Sequence, residues 1–506
     1  MIHDARSLED GGTLRCDLCV IGSGPGGAAA ATMAAEAGMR VVVLESGSFV
    51  TPAQMSQREE EMIPRLLWQA GARMTRDHFI HVHQGKGVGG SSLHNINLCK
   101  RIPDAVLLQW KRARGLEHLP LSAWGALYDE VETLLSVSAV PEAAWNRHNR
   151  ILRDGCDALG WRGGGLKHNR TGCIGSGFCE LGCAYDAKNN ALKVLVPRLM
   201  RAEATVLTHA HALRIETRGG RVRGVSVAAV DGIDPRSVGR FEVIADRVCV
   251  SASATGTPAL LLRSGIEGPE GATGRSLRMH PAVIAAGDFD EPVRAWEGIP
   301  QTYECSEHLD FEEGSNRRLW IIPAFGHPMG VATMLPGYGE AHAALMGRFE
   351  HMAVLAAMLH DKTPGEVEPN GDFDVSMRYE PVAEDRAQLA QGLVHTARLL
   401  FAAGARRVIV PTHRVKILTS PSEVDALART PIDAGTLSLT AVHPMGSVPM
   451  GDDPSRAAVD SRGKHHHVEG LYVADGSLFP TSIGVPPQLS IYAMGLHVGR
   501  AIAAAR

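Results

Sequence analysis

Aromatic residues are scarce in this sequence: Phe, Trp and Tyr make up 5% of its 506 residues. Few flat platforms are therefore available for a sugar ring. A basic field is missing as well. The formal charge is -4, from 51 basic and 55 acidic residues, so nothing holds nucleic acid or anionic lipid by long-range attraction. No apolar run is long enough to span a bilayer. Met1 to Gly12 is polar and mixed in charge, which is not the pattern of a secretory signal. Internal repeats and low-complexity tracts are absent. Nine cysteines, an odd number spread along the chain, speak for reduced thiols in a cytoplasmic setting rather than a disulfide framework. What is left is ordinary for a globular protein, with 44% hydrophobic and 21% charged residues. A chain of this length exceeds one ordinary core, which predicts two joined lobes.

The segment from Asp17 to Glu45 carries the densest pattern. Asp17-Leu18-Cys19-Val20-Ile21 reads as a buried strand, Ala28 to Ala37 as a small-residue helix, and Met39 to Leu44 as a second strand. Between strand and helix lies Gly22-Ser23-Gly24-Pro25-Gly26-Gly27, with Gly22, Gly24 and Gly27 in the G-x-G-x-x-G places. Gly22 permits the tight turn, Gly24 lets the backbone approach a pyrophosphate, and Gly27 lets helix and strand pack closely. The helix N-terminus points free N–H groups at that anion. Glu45 closes the second strand, where it can accept hydrogen bonds from a ribose diol. The full strand–turn–helix–strand–acid spacing predicts dinucleotide binding.

The pattern does not continue as a compact Rossmann half. A polar, helix-prone segment runs to about Arg76, followed by a second glycine cluster from Gly85 to Ser92 and a Cys/Gly-rich stretch from Cys173 to Cys183. Ala204–Leu207, Val222–Ala229 and Phe241–Ser251 read as strands, with turns at Gly219-Gly220 and Asp231-Gly232. From about Glu291 to Pro431 the chain has long apolar stretches, and five methionines fall between Met329 and Met358. This interval is read as most of a second, sheet-based lobe, with the methionines as core or as the lining of an apolar cavity. His443 to Arg506 holds a strand (Leu471 to Ala474), a loop and a terminal helix.

Four motifs, in order, make the whole chain resemble the glucose–methanol–choline family of flavin oxidoreductases. The first is the fingerprint ending at Glu45, which in that family binds FAD. The second is Gly85-Lys86-Gly87-Val88-Gly89-Gly90-Ser91-Ser92-Leu93-His94-Asn95, similar to the loop that lies along the flavin and its pyrophosphate. The resemblance implies cofactor contacts from Gly89, Gly90, Ser91 and Asn95. The third is Ser253-Ala254-Thr255-Gly256-Thr257-Pro258, leading into Leu260 to Ile266. The fourth is His443-Pro444-Met445-Gly446-Ser447, with Val473-Ala474-Asp475-Gly476-Ser477 downstream. In the family that His faces the flavin N5 region, and the Asp475-Gly476 pair reaches the cofactor.

The implied fold is α/β with an α+β second lobe. A Rossmann-type FAD-binding domain would be assembled from segments 14–50, 80–100, 200–285 and 440–506. Segments 101–199 and 286–439 would form a sheet-based substrate lobe and its connections, with a Cys/Gly loop at 170–188. The implied reaction is oxidation of a primary or secondary alcohol to the carbonyl, hydride passing to the flavin. An imidazole near its usual pKa of about 6.5 suits removal of the hydroxyl proton, which makes His443 the expected general base. An apolar alcohol is favoured over a sugar.

One departure from the family pattern bears on mechanism. Family members carry a second His or an Asn just before a Pro in the C-terminal loop, which here reads Gly484-Val485-Pro486-Pro487-Gln488-Leu489-Ser490. Pro486 takes that position and offers no side-chain donor or acceptor. Either His443 works alone, or Gln488 reaches in, or the chemistry is that of a flavoprotein lyase or isomerase. A non-catalytic flavin subunit would leave His443 without a role.

Cys173, Cys179 and Cys183 form a C-x5-C-x3-C pattern among glycines. Its spacing resembles the [3Fe-4S]-binding loop of FAD-dependent glucose and fructose dehydrogenases, which implies three metal-ligating thiolates and electrons leaving to a carrier. The other reading is a tight loop of inert thiols, with oxygen as the acceptor. Cys16 and Cys19 lie three apart on a strand and so point to opposite faces, which argues against a redox pair. His465-His466-His467 is read as a solvated turn.

Overall fold

The computed structural model describes residues 1–505 apart from Phe325 and Pro336. Two sheets organise the chain, and the α/β class with a second, sheet-based domain is what the molecule has. The first sheet has eight strands, in the order Ile2–Asp4, Thr205–Thr208, Val41–Leu44, Thr13–Ile21, Arg236–Val250, Arg221–Asp231 and Ala210–Arg218. Leu471–Val473 lies beside Arg236–Val250. Its centre is parallel, and an antiparallel meander from Ala210 to Val250 closes one side. Val41–Leu44 is buried throughout, as expected for a parallel strand covered on both faces.

The helix Pro25–Glu36 starts at Gly24 with Pro25 in its first turn, where a missing N–H costs nothing. Its Gly and Ala residues allow close contact with the terminal helix Gln488–Ala504. A Cβ on Gly495 would sit 2.4 Å from Gly26 O, and one on Gly499 would sit 2.7 Å from Ala30 O. The composition of this helix is thus a consequence of helix–helix distance.

The second sheet has nine strands, with the path Lys416–Leu418, Arg407–Val410, Ala282–Asp288, Met352–Leu359, Leu319–Pro323, Tyr303–Cys305 and Gly163–Gly165. Leu439–Ala441 joins Ala282–Asp288 and pairs in turn with Ile80–Val82. The helices Ala383–Ala402 and Arg147–Leu159 pack on it and share its apolar core.

Several details depart from the sequence reading. Segment 80–100 was assigned to the cofactor lobe, yet Ile80 and Val82 bury themselves by pairing with Leu439 and Ala441 in the second sheet. The strand Ala210–Arg218 was not foreseen; its outer half is polar and exposed. Of the methionines read as core, Met352 and Met358 are buried, whereas Met329 and Met334 lie exposed on the short helix Pro328–Met334. His465 is not solvated: it is buried, and its Nδ1 accepts from the amides of His467 and Val468, so it shapes the turn from inside.

Candidate active site

The first glycine loop forms a cradle. Gly22 has φ +98°, and a Cβ there would stand 2.2 Å from Ser251 O. A Cβ on Gly27 would stand 2.0 Å from Gly22 O. Both residues are glycine because the protein itself leaves no room. Gly24 differs: its φ is an ordinary -66°, and the nearest atom to an added Cβ is Gly90 Cα at 3.9 Å. No protein neighbour demands glycine there. The open space lies at the N-terminus of Pro25–Glu36, which has no side-chain cap, and it fits an anion bound by free N–H groups.

Glu45 is buried and joins the two glycine loops. Its carboxylate accepts from Ser23 Oγ at 2.6 Å, Gly47 N at 2.9 Å, Gly87 N at 3.0 Å and Ser23 N at 3.2 Å. The second loop turns through left-handed Gly87, Gly89 and Gly90 and comes to rest against Gly24. Ser91 Oγ accepts from Gly85 N at 2.9 Å, which closes this loop on itself. Asp475 caps the turn Gly476–Leu478 through Ser477 N and accepts from Thr257 Oγ1 at 2.5 Å. Buried Asn95 Oδ1 has no partner among the described residues. Buried polar atoms rarely stay unpaired, so it fits a polar ligand in the cradle.

Beside this cradle, three histidines gather from distant parts of the chain. His443 follows the strand Leu439–Ala441 and is half-buried. Its Nδ1 lies 3.3 Å from His280 Nδ1, with the two rings edge to face at 5.4 Å. Gly484 N donates to His280 Nε2 at 2.9 Å. His360 Nε2 lies 3.0 Å from Ser482 O. His280 sits in the left-handed region, at φ +50°. The buried carboxylate of Asp361 holds it there, accepting from the amides of Met279 and His280 and from Tyr379 Oη. Burial pushes the His280 imidazole down to about 3, with His360 adding to the effect. Burial, then His280, holds His443 well below the usual imidazole range. Both rings are neutral at pH 7.

Sequence reasoning found His443 and missed His280 and His360. A positive φ at His280 and a pairing across about 160 residues leave no local signature. The only hint was the density of histidine in a chain with few aromatics.

Pro486 is buried between Gly484, which bonds His280, and the terminal helix. Gln488 does not reach toward the histidines. Its amide accepts from Asn95 Nδ2 at 2.6 Å and donates to Leu98 O at 2.7 Å and Asn169 Oδ1 at 3.2 Å. These bonds make Gln488 a brace behind the second glycine loop, so the expected substitute for the missing side chain is not there.

Cys173, Cys179 and Cys183 do line one cavity, beside Arg170 and the buried Lys188. The sulfurs of Cys173 and Cys183 accept from the amides of Gly175 and Ala187. The cavity measures about 20 Å³, room for about one water. No three His, Cys, Asp or Glu side chains among the described residues converge on a metal position. All nine cysteines are free, Cys16 and Cys19 being buried in their strand. No helix among the described residues is long and apolar enough to cross a membrane.

A dinucleotide cradle in a parallel sheet, a second sheet over it and a histidine cluster between them define a two-lobed flavin oxidoreductase. Comparison with known proteins agrees. Residues 63–282 and 363–495 match the N- and C-terminal parts of the GMC oxidoreductase family, and residues 17–56 match an FAD binding domain. A GMC-type oxidoreductase of Mycobacterium tuberculosis is 35% identical over 97% of this chain and 76% of its own length. A long-chain-alcohol oxidase of Arabidopsis thaliana is 30% identical over 97% of this chain and 68% of its own. Among solved structures, pyridoxine 4-oxidase from Mesorbium loti superposes with a TM-score of 0.68 at 20% identity, covering 96% of this chain and 99% of its own. Formate oxidase from Aspergillus oryzae does so with a TM-score of 0.71 at 16% identity, covering 99% of both chains. These two show the shared fold alone. The chain belongs to the glucose–methanol–choline family and is an FAD-dependent oxidoreductase.

Proposed function

We propose that this enzyme oxidises a primary or secondary alcohol, preferentially an apolar one, to the corresponding carbonyl. The observation that carries the reading is the neutral histidine cluster beside the glycine cradle. FAD held there supplies the hydride acceptor. Gly22, Gly24, Gly27 and the N-terminus of Pro25–Glu36 would hold its pyrophosphate. Glu45 would hold its ribose, and Gly89, Gly90, Ser91, Asn95, Asp475 and Gly476 its remaining length. His443 lies at the reacting hydroxyl, and an imidazole of the cluster removes the hydroxyl proton. The curated relatives include a long-chain-alcohol oxidase and a 2-methyl-1,2-propanediol dehydrogenase, which support a CH–OH donor and leave open either kind of acceptor. The narrow cysteine cavity favours an acceptor that meets the flavin directly, dioxygen first and a soluble carrier or quinone second. Nine free thiols support a reducing, cytoplasmic setting.

Anaerobic addition of a series of primary and secondary alcohols should bleach the flavin absorbance of the purified protein. His443→Ala should slow that bleaching on the order of a hundredfold or more while FAD stays bound. Bleaching by no alcohol would remove this reading. It would favour lyase or isomerase chemistry, the alternative that Pro486 supports by offering no second polar group.

A further inference from the structure

His280 and His360 stand at one end of an apolar floor. His280 lies two residues before Ala282, and His360 two after Met358. Every second residue of a strand faces the same side, so Ala282, Ile284 and Ala286 form one row, and Met358, Ala356 and Val354 another. The register sets the rows side by side: Ala282 pairs with Met358, Ile284 with Ala356, and Ala286 with Val354. Trp320 and Ile322 of the next strand continue the first two rungs, and Ala324 donates its amide to Val354 O at 2.9 Å to continue the third. The residues between them point the other way. A Cβ on Gly392, in the helix Ala383–Ala402, would stand 2.9 Å from both Ala357 Cβ and Val283 Cγ2. The helices therefore cover the rear of the sheet, and the three rungs look toward the cofactor lobe.

This floor is grooved and partly open. In the middle rung Ala356 lies low between Ile284 and Ile322, which leaves a groove one side chain wide along the strand Met352–Leu359. Phe311 joins the groove to the histidines: it packs on the cluster that holds Met358 and Trp320, and its ring lies 5.5 Å from that of His360. On one side the groove is bounded by Glu304, which accepts from Trp320 Nε1 and from Lys100 Nζ at 2.7 Å, so its charge is matched. Ile284, Val354 and Ala324 are only half-buried, although they belong to an inner face. The cover over the far rung is thin. The helix Pro328–Met334 buries no residue, and Gly339–Met346 buries only Leu345, which packs with Ala286 and Val354.

We propose that this groove is the bed of a long, unbranched alkyl chain and that Ala356 sets the bulk it admits, so that the substrate is a long-chain primary alcohol. The assignment rests on the reading that His443, 3.3 Å from His280, lies at the reacting hydroxyl. The histidines stand at the end of the floor and not beside its middle, so the carbon that is oxidised is the last of its chain. From His280 to Ala286 the strand rises about 20 Å, more than the length of an extended chain of about ten carbons. A branched chain or a fused ring would meet the side chains of Ile284 and Ile322 on either side of the groove.

Anaerobic flavin reduction of the holoenzyme by straight-chain primary alcohols, from ethanol to dodecanol, reads the bed directly. kcat/KM should rise with chain length by up to about fourfold per methylene. A flat profile overturns the proposal without any variant. Ala356→Leu fills the groove and should lower the dodecanol-to-ethanol preference at least about tenfold. Ala324→Leu, at the half-buried far rung, should lower the dodecanol-to-octanol ratio more than the octanol-to-ethanol ratio. FAD content and Tm report whether each variant folds, and preferences unchanged in both overturn the assignment. Decanamide, which offers no alcohol to oxidise, gives a readout without turnover. Titration calorimetry should show it bound by the parent and at least about tenfold weaker in Ala356→Leu. Equal affinity in the two overturns the role of Ala356. If no alcohol reduces the flavin yet decanamide binds as stated, the chain bed stands and the alcohol reading alone fails.

Discussion

The cofactor cradle and the histidine pocket adjoin, but they are built in opposite ways. The cradle is made of main chain: glycine turns, a helix N-terminus, and one carboxylate that collects amides from Gly47 and Gly87. The pocket is made of side chains drawn from residues 280, 360 and 443 and oriented by the loop at 482–484. Binding a long anionic cofactor needs many weak donors at set positions, which backbone in a special conformation provides. Moving one proton needs one bare nitrogen in one orientation, which only the packing of remote segments provides. A cradle therefore tolerates change outside its glycines, whereas a pocket is sensitive to any group that alters a tautomer.

The largest contrast lies within the cradle itself. Gly27→Ala forces a Cβ to within 2.0 Å of Gly22 O and should lower stability by about 1–3 kcal/mol, read as a drop in Tm. Gly24→Ala finds open space, so Tm should hold while FAD affinity falls about tenfold, the worth of one charge-assisted hydrogen bond. Equal Tm losses in the two variants would mean that the space at Gly24 belongs to the protein and not to a cofactor.

A smaller effect is expected in the pocket. Pro486→Asn introduces the polar group that the family resemblance implies at this position and should change alcohol-dependent flavin reduction by at most about tenfold, upward for generic alcohols. The gain is limited because Pro486 also stiffens the loop that presents Gly484 to His280. An unchanged rate for every alcohol would place Pro486 outside the reacting shell, and with it the family alignment of this loop.

The smallest effect is expected at the cysteine loop, which belongs to neither region. Cys173 is exposed, so Cys173→Ser should alter flavin reduction less than about twofold. Protein purified without air should carry far less than one iron per chain. Three irons per chain, lost in Cys173→Ser, would show that the loop opens to hold a cluster and routes electrons out of the flavin.

The cradle was legible because its physics is local. Gly22, Gly24, Gly27 and Glu45 lie within one strand–helix–strand unit, and the turn geometry that requires them is set by neighbours in sequence. Glu45 is read from the sequence as a ribose ligand; what the structure shows is a carboxylate that ties Ser23 to Gly87. The pocket was legible at one residue of three. His443 stands in a motif, whereas His280 precedes the strand Ala282–Asp288 and His360 follows Met352–Leu359, neither with a motif of its own. The misreading of Gln488 has the same origin. Its neighbours Asn95, Leu98 and Asn169 arrive from segments about 320 to 390 residues away, and nothing in the loop shows which way the amide turns.

By itself, then, the amino-acid order showed a dinucleotide fingerprint and placed this protein among the FAD-dependent flavin oxidoreductases. Short-range sterics dictate where glycine must stand, and apolar runs dictate strands. Tertiary structure alone decided which ring nitrogens face each other and that the cysteine loop closes on a space of about 20 Å³. It also decided that Ile80–Val82 serves the second sheet. Those outcomes depend on how far apart packed segments come to rest, and a hydrogen bond that forms at 3 Å is gone a little beyond it.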